Sequence, residues 1–364
     1  MAILSRQRAL GLSFVVGTAL VAAGVLVGPS TAAPQPLPTS AFKSVDPYGL
    51  SAPLSNGTHL AKYADGSTMV LHADDDVLDL GVAPIQTSAE AESDPVCGTT
   101  NVTWFFYAAP SDMSDATYNS RYSSNTERIR TYVRQMNHKV YARSLATSPT
   151  ATPKPARLRV MCAGTTIRVG GIHLDIDSNN DGFTAIKNNM IAHNFDETHY
   201  PNVKYVIFLD DPPVPFTKNG KQYITCGLGE RYNDESKTTS NLNNGVTYAV
   251  VWGNRGGTWA PCWHPIKALH ELLHGMGAVQ NGAPKSTGAG HCIDGRDVMC
   301  YDDGGPSGAN YRETACPGDA NNEDSKVLDC GDQDYFDTFT DATDTYLATH
   351  WNVGWNGNHY LQFG

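Results

Sequence analysis

The stretch His270-Glu271-Leu272-Leu273-His274-Gly275-Met276-Gly277 sets two histidines four residues apart, with a glutamate directly after the first. On a helix, residues four apart share one face, so both imidazoles can turn toward a single metal ion. Glu271 then stands beside them, placed to act on a water at that ion. The flanks predict the helix itself. Pro265 suits a first turn, where its missing N–H costs nothing, and Ile266, Leu269, Leu272, Leu273 and Met276 supply apolar faces. Gly277 suits a left-handed cap, so the helix is expected to stop three residues past His274. A chain that turns there can bring a third ligand up from below.

Upstream, strand-like and helix-like segments alternate. Val102–Ala108, Arg157–Cys162, Val203–Leu209 and Val246–Trp252 read as strands from their β-branched and aromatic content. Thr126–Leu145 carries Ile129, Tyr132, Val133, Met136, Val140 and Tyr141 at helical spacing, and Phe183–Phe195 reads as a second helix. Tyr223–Cys226 reads as a short edge strand. Beyond the motif helix the chain is rich in Gly, Asp and Asn, with few regular elements expected. The order predicts one mixed α/β (α+β) domain over 96–364, with a twisted mixed sheet. Its upper lobe would span about 96–277 and end in the motif helix, and an irregular lower lobe would span about 278–364.

At the N-terminus, Arg6 and Arg8 precede an apolar run from Ala9 to Val27 and the small residues Ser30, Thr31 and Ala32. This is the pattern of a secretory signal, residues 1–32, cut after Ala32 because Pro34 disfavours a cut after Ala33. An uncleaved membrane anchor is the competing reading. Residues 33–95 read as a propeptide or linker, in which Asp74, Asp75 or Asp76 could offer a carboxylate to a metal. The formal charge of −11 becomes −13 without residues 1–32, whose only charged residues are two Arg: 24 Lys and Arg against 37 Asp and Glu. An acidic chain argues against nucleic acid, or an anionic membrane after signal removal, as its main partner. All eight cysteines follow the signal, and an even count in an exported chain implies disulfides. Neighbour pairing is expected: 97–162, 226–262, 292–300 and 316–330.

His270, Glu271, His274 and Gly277 resemble the metzincin pattern H-E-x-x-H-x-x-G-x-x-H. Asp297-Val298-Met299-Cys300-Tyr301 resembles the Met-turn of that clan. There Met299 would form an apolar floor beneath the metal, and Tyr301 would bring a phenol near it. The departure is at position 280, where the clan has His and this chain has Gln280. Three residues stand as the third ligand. His291 would serve if an insertion separates it from the helix cap, as in the leishmanolysin-like branch. Asp294 would serve as Asp does in snapalysin-like members, and Gln280 itself is a weak ligand. The cysteines favour His291, since a Cys292–Cys300 bridge would tie the residue after His291 to the residue after Met299.

The resemblance implies a secreted zinc endopeptidase of two-lobed fold. Zinc would lower the pKa of water to about 7, and Glu271 would act as general base. Zinc and Tyr301 would stabilise the oxyanion. A polypeptide substrate would pair with a strand at the cleft edge, Tyr223–Cys226 or part of Val246–Trp252. Two other readings use the same residues: a zinc amidase acting on cell-wall peptides, and a non-catalytic secreted binding module.

A weaker signal concerns Ca2+. Asp177-Ser178-Asn179-Asn180-Asp181-Gly182 matches the opening of a calcium loop, but Asn188 stands where the closing Glu belongs, and an Asx-rich turn competes with it. Asp319–Asp334 is a second acidic stretch, with a solvated loop as its plain reading.

Overall fold

The computed structural model describes residues 59–62, 68–71, 94–147, 155–178, 182–212, 214–218, 221–253, 262–301, 303, 307, 310–312, 314–317, 322–340 and 345–364. The signal segment, Asp74–Asp76 and Asn179–Asp181 lie outside the described residues.

The apolar runs of the sequence become strands buried on both faces. In β4 (Val102–Ala109), Val102, Trp104, Phe106 and Ala108 enter one core cluster while Phe105 and Tyr107 enter the other. The strands β8 (Val203–Leu209) and β12 (Thr247–Trp252) divide their side chains in the same way. A strand covered on both sides needs no polar alternation, which is why these segments read as nearly continuous hydrophobic runs, broken only by the buried Thr103, Lys204 and Thr247.

The elements run in the order β1 (His59–Lys62), β2 (Thr68–Leu71), β3 (Val96–Gly98), β4, α1 (Asp115–Thr147), β5 (Ala156–Ala163), β6 (Thr166–Ile167) and β7 (Val169–His173). There follow α2 (Phe183–Ala192), β8, β9 (Val214–Lys218), β10 (Lys221–Thr225), β11 (Gly227–Gly229), β12, α3 (Pro265–Gly275) and β13 (Leu361–Phe363). The main sheet has the order β11-β12-β8-β4-β5-β13, with β3 and β6 on β5 and β7 on β4. β12, β8, β4, β7, β5 and β3 run parallel, while β11, β13 and β6 are antiparallel to their neighbours. The fold is therefore mixed α/β with a mostly parallel sheet. On one face Ile186 and Met190 of α2 pack on Trp104, Ile207 and Tyr248. On the other, Ile129, Val133 and Met136 of α1 and Leu269, Leu272 and Leu273 of α3 cover Phe105, Val206 and Val251.

Three boundaries differ from expectation for local reasons. α1 begins at Asp115, eleven residues before Thr126, because Ser114 Oγ accepts the Thr117 N–H as an N-cap. Polar residues from Asn119 to Asn125 hide the periodicity of this first part, whose Tyr118 and Tyr122 lean on Tyr107. α2 ends at Ala192 rather than Phe195, since Asn194 takes a left-handed φ of 66°. Tyr223–Thr225 falls in β10, which pairs with β9 in a separate hairpin and leaves the sheet edge to β11.

All four expected disulfides are formed, Cys97–Cys162, Cys226–Cys262, Cys292–Cys300 and Cys316–Cys330, with no cysteine left free. They fit an oxidising environment. Among the described residues no helix is long and apolar enough to cross a membrane. After α3 the described chain is irregular apart from β13 and one short turn, as the composition predicted. Trp351 anchors this segment beneath the helix, its Nε1–H donating to Met276 O at 2.7 Å.

Candidate metal centre

α3 is built as its sequence predicts. Pro265 opens it, the His264 side chain accepts the Ile266 N–H, and Met276 caps it. Gly277 follows at φ +82°, where any Cβ would strike the Asn243 side chain. The one-turn spacing sets His270 and His274 side by side, with Nε2 atoms 3.0 Å apart. His291 arrives from the Gly-rich loop, its own Nε2 3.1 Å from that of His274. The three residues form one ligand-like group.

The outer ring nitrogens decide what the inner ones can do. His270 Nδ1 is 2.7 Å from Val298 O, and His291 Nδ1 is 2.7 Å from Asp303 Oδ2. A carbonyl or a carboxylate only accepts, so both Nδ1 atoms donate and both Nε2 atoms present lone pairs inward. His274 Nδ1 is buried without a hydrogen-bond partner among the described residues. His274 Nε2 faces both of those Nε2 atoms, so the three nitrogens can converge on one cation. Three nitrogens at about 2.0–2.1 Å from a tetrahedral ion would stand about 3.3–3.4 Å apart, close to the spacing here. Neutrality of the rings agrees. Burial, and then the neighbouring His291, push His270 down to about 3. Burial followed by the other two rings holds His274 well below the usual range, and burial holds His291 down against the pull of Asp303. The residues fit a divalent metal.

The other residues weighed as third ligand are engaged elsewhere. Gln280 turns its Nε2 to Tyr232 O at 3.0 Å and Gly277 O at 2.8 Å. Asp294 is buried between Lys285, at 2.6 Å, and Arg312. Met299 is fully buried, its N–H donating to Asp297 Oδ1 at 2.8 Å, while its carbonyl faces the Cys292 N–H at 3.2 Å. The Cys292–Cys300 bridge does tie this turn to the residue after His291. Tyr301 is 45% exposed, and its ring centroid lies 4.1 Å from that of His291 and 5.9 Å from that of His270. In the second calcium stretch, Asp329 accepts the backbone N–H groups of Asp334, Tyr335 and Phe336, so it caps its own loop. Ser178, in the first stretch, bonds Asp112 at 2.7 Å.

Glu271 is 8% exposed, and burial pushes its carboxyl up to about 8, opposed by a hydrogen bond from the Gly229 N–H. This contact escaped sequence reading, since Gly-Leu-Gly carries no strand signal. The glycines are required by the close approach. A Cβ at Gly227 would lie 2.5 Å from Glu271 Oε1, and one at Gly229 would meet the Glu271 carbonyl. Gly227→Ala, whose backbone is unstrained, should displace the Glu271 carboxylate while leaving the three histidines in place. The expected result is full metal content with a weaker pH dependence of melting temperature in the metal-free protein, since the displaced carboxyl is less buried, read by thermal melts beside metal analysis. An unchanged pH dependence would show that the carboxylate has not moved.

No protein-family model matches this chain, and no curated protein is detectably similar to it in sequence.

Proposed function

We propose that the chain is a zinc-dependent endopeptidase of metzincin type. The observation that carries this reading is the convergence of three neutral histidines beside a buried glutamate that touches an edge strand. A zinc ion held there would supply Lewis acidity, polarising a peptide carbonyl and making water acidic enough to ionise near pH 7. Glu271 would accept that water's proton and return it to the leaving amine. Tyr301, beside His291 and exposed, is placed to donate to the developing oxyanion.

The substrate strand differs from the two expected. β12 is paired on both sides, with β11 and with β8, so it has no free edge. β10 belongs to the separate hairpin. Among the described residues β11 is the terminal strand of the main sheet, and its Gly227 and Gly229 lie against Glu271. An extended polypeptide would add there as a further strand. A terminal strand lying beside the carboxylate favours an endopeptidase over an amidase with a closed pocket. The two-lobed division at about 278, secretion after a signal at 1–32 and a propeptide or linker at 33–95 belong to the same proposal. The four bridges support export.

The test is metal analysis with casein hydrolysis on the purified protein, before and after a chelator and after restoring Zn2+. About one zinc per chain, activity lost with the metal and regained on its return are expected. A chain that retains no metal, or whose hydrolysis is indifferent to chelation, would refute the proposal.

A further inference from the structure

The three rings are held in unequal ways. His270 and His274 ride on a helix, and His270 is further fixed by a main-chain carbonyl. His291 stands on a loop whose Gly288 and Gly290 both take positive φ, 79° and 99°. Such a segment has much conformational freedom to lose. The side-chain contact that orients its ring is the 2.7 Å hydrogen bond from Nδ1 to Asp303. Asp303 is itself braced. Thr287 Oγ1 donates to the same Oδ2 at 2.9 Å, while the Thr287 N–H donates to His291 O at 2.8 Å. Side chains of His291 and Asp303 are 11% and 10% exposed, so water competes little for the bond.

We infer that Asp303, braced by Thr287, is a positioning residue for the metal centre: it locks His291 in the tautomer and orientation that aim Nε2 at the ion. The inference rests on the metal reading above. Two physical effects act together. An acceptor-only partner forces the proton onto Nδ1 and keeps Nε2 free. A carboxylate also makes the ring a stronger donor and offsets charge. Three neutral imidazoles around a dication leave +2; Glu271 and Asp303 each contribute one negative charge against it, while the Arg231 guanidinium nearby acts in the opposite sense. Removing Asp303 leaves the site one charge short and lets His291 rotate.

The test measures zinc affinity by competition with a chromogenic chelator, a readout independent of turnover, in wild type, Asp303→Ala, Asp303→Asn and Thr287→Val. Loss of such an outer partner typically weakens metal binding by about 10–100-fold. Asp303→Ala is expected in that range. Asp303→Asn, which keeps an acceptor but not the charge, should fall between it and wild type, and Thr287→Val should lose a few-fold. Cobalt-substituted Asp303→Ala should also show an altered visible ligand-field spectrum. Wild-type affinity and an unchanged cobalt spectrum in Asp303→Ala would overturn the inference while leaving the metal centre standing. If Asp303→Ala does not fold, equal affinity in Asp303→Asn and Thr287→Val would overturn it in its place. A wild-type chain that binds no zinc would overturn the metal reading and this inference with it.

Discussion

Glu271→Gln is expected to retain zinc at the wild-type level and to hydrolyse casein about 10²–10⁴-fold more slowly, the usual worth of a general base. The change is nearly isosteric, and an amide oxygen can still accept the Gly229 N–H that the carboxylate accepts. Fold and metal content should therefore survive, and only proton transfer is lost. The same variant has a second signature in the metal-free protein. Glu271 moves from 4.5 to about 8 on folding, because burial disfavours its charge. Its contribution to stability is fully present below pH 4.5 and is lost as pH rises toward about 8. Gln cannot ionise. Chelated Glu271→Gln should thus gain melting temperature relative to chelated wild type as pH is raised from 5 to 8.5. A difference that stays constant with pH would mean that Glu271 ionises freely in the folded chain. With zinc bound, the cation's charge pulls the carboxyl back down and the contrast should shrink. Casein turnover near the wild-type rate would remove Glu271 from the chemistry.

His291→Ala should lower zinc affinity by more than the roughly 100-fold that loss of an outer hydrogen-bond partner costs, and abolish activity at ordinary zinc concentrations. Two nitrogens four apart on a helix remain, and neither Gln280 nor Asp294 is free to replace the third. Gln280 is tied to two main-chain carbonyls, and Asp294 to Lys285 and Arg312. Gln280→Ala is the contrasting variant. It should keep its zinc and cost about 1–3 kcal/mol of stability, because two carbonyls lose their donor. Titration of both variants by calorimetry separates the alternatives. Full binding by His291→Ala together with loss of binding by Gln280→Ala would reassign the third ligand.

The parts of this molecule that were legible in sequence are those where one local rule dominates. α3 announces itself through Pro265, its apolar stripe and Gly277, and the buried strands β4 and β8 through apolar runs broken only by Thr103 and Lys204. β7 was invisible because its Val-Gly-Gly-Ile-His sequence looks like a turn. Its glycines are there for packing: a Cβ at Gly170 would enter the Phe106 ring, and one at Gly171 would collide with Tyr118 and Tyr122. β11 hid in the same way, since its two glycines answer to Glu271, 42 residues or more along the chain. Asp303 gave no signal either. Twelve residues separate it from His291, with no helical or strand register between them. Position 291 stood among three alternatives because a ligand on a loop is located by what braces it, and the braces are long-range.

The four disulfides do not interleave: each closes before the next opens, at 97–162, 226–262, 292–300 and 316–330. For a chain that emerges N-terminus first, the correct mate of the first, third, fifth and seventh cysteine is in each case the next one to appear. Oxidation in order of emergence therefore yields the native set without reshuffling. The same arrangement limits damage. A single peptide bond cut anywhere between Cys226 and Cys262 leaves β11 still joined through sulfur to the segment that opens α3, so the strand and the helix bearing Glu271 cannot part.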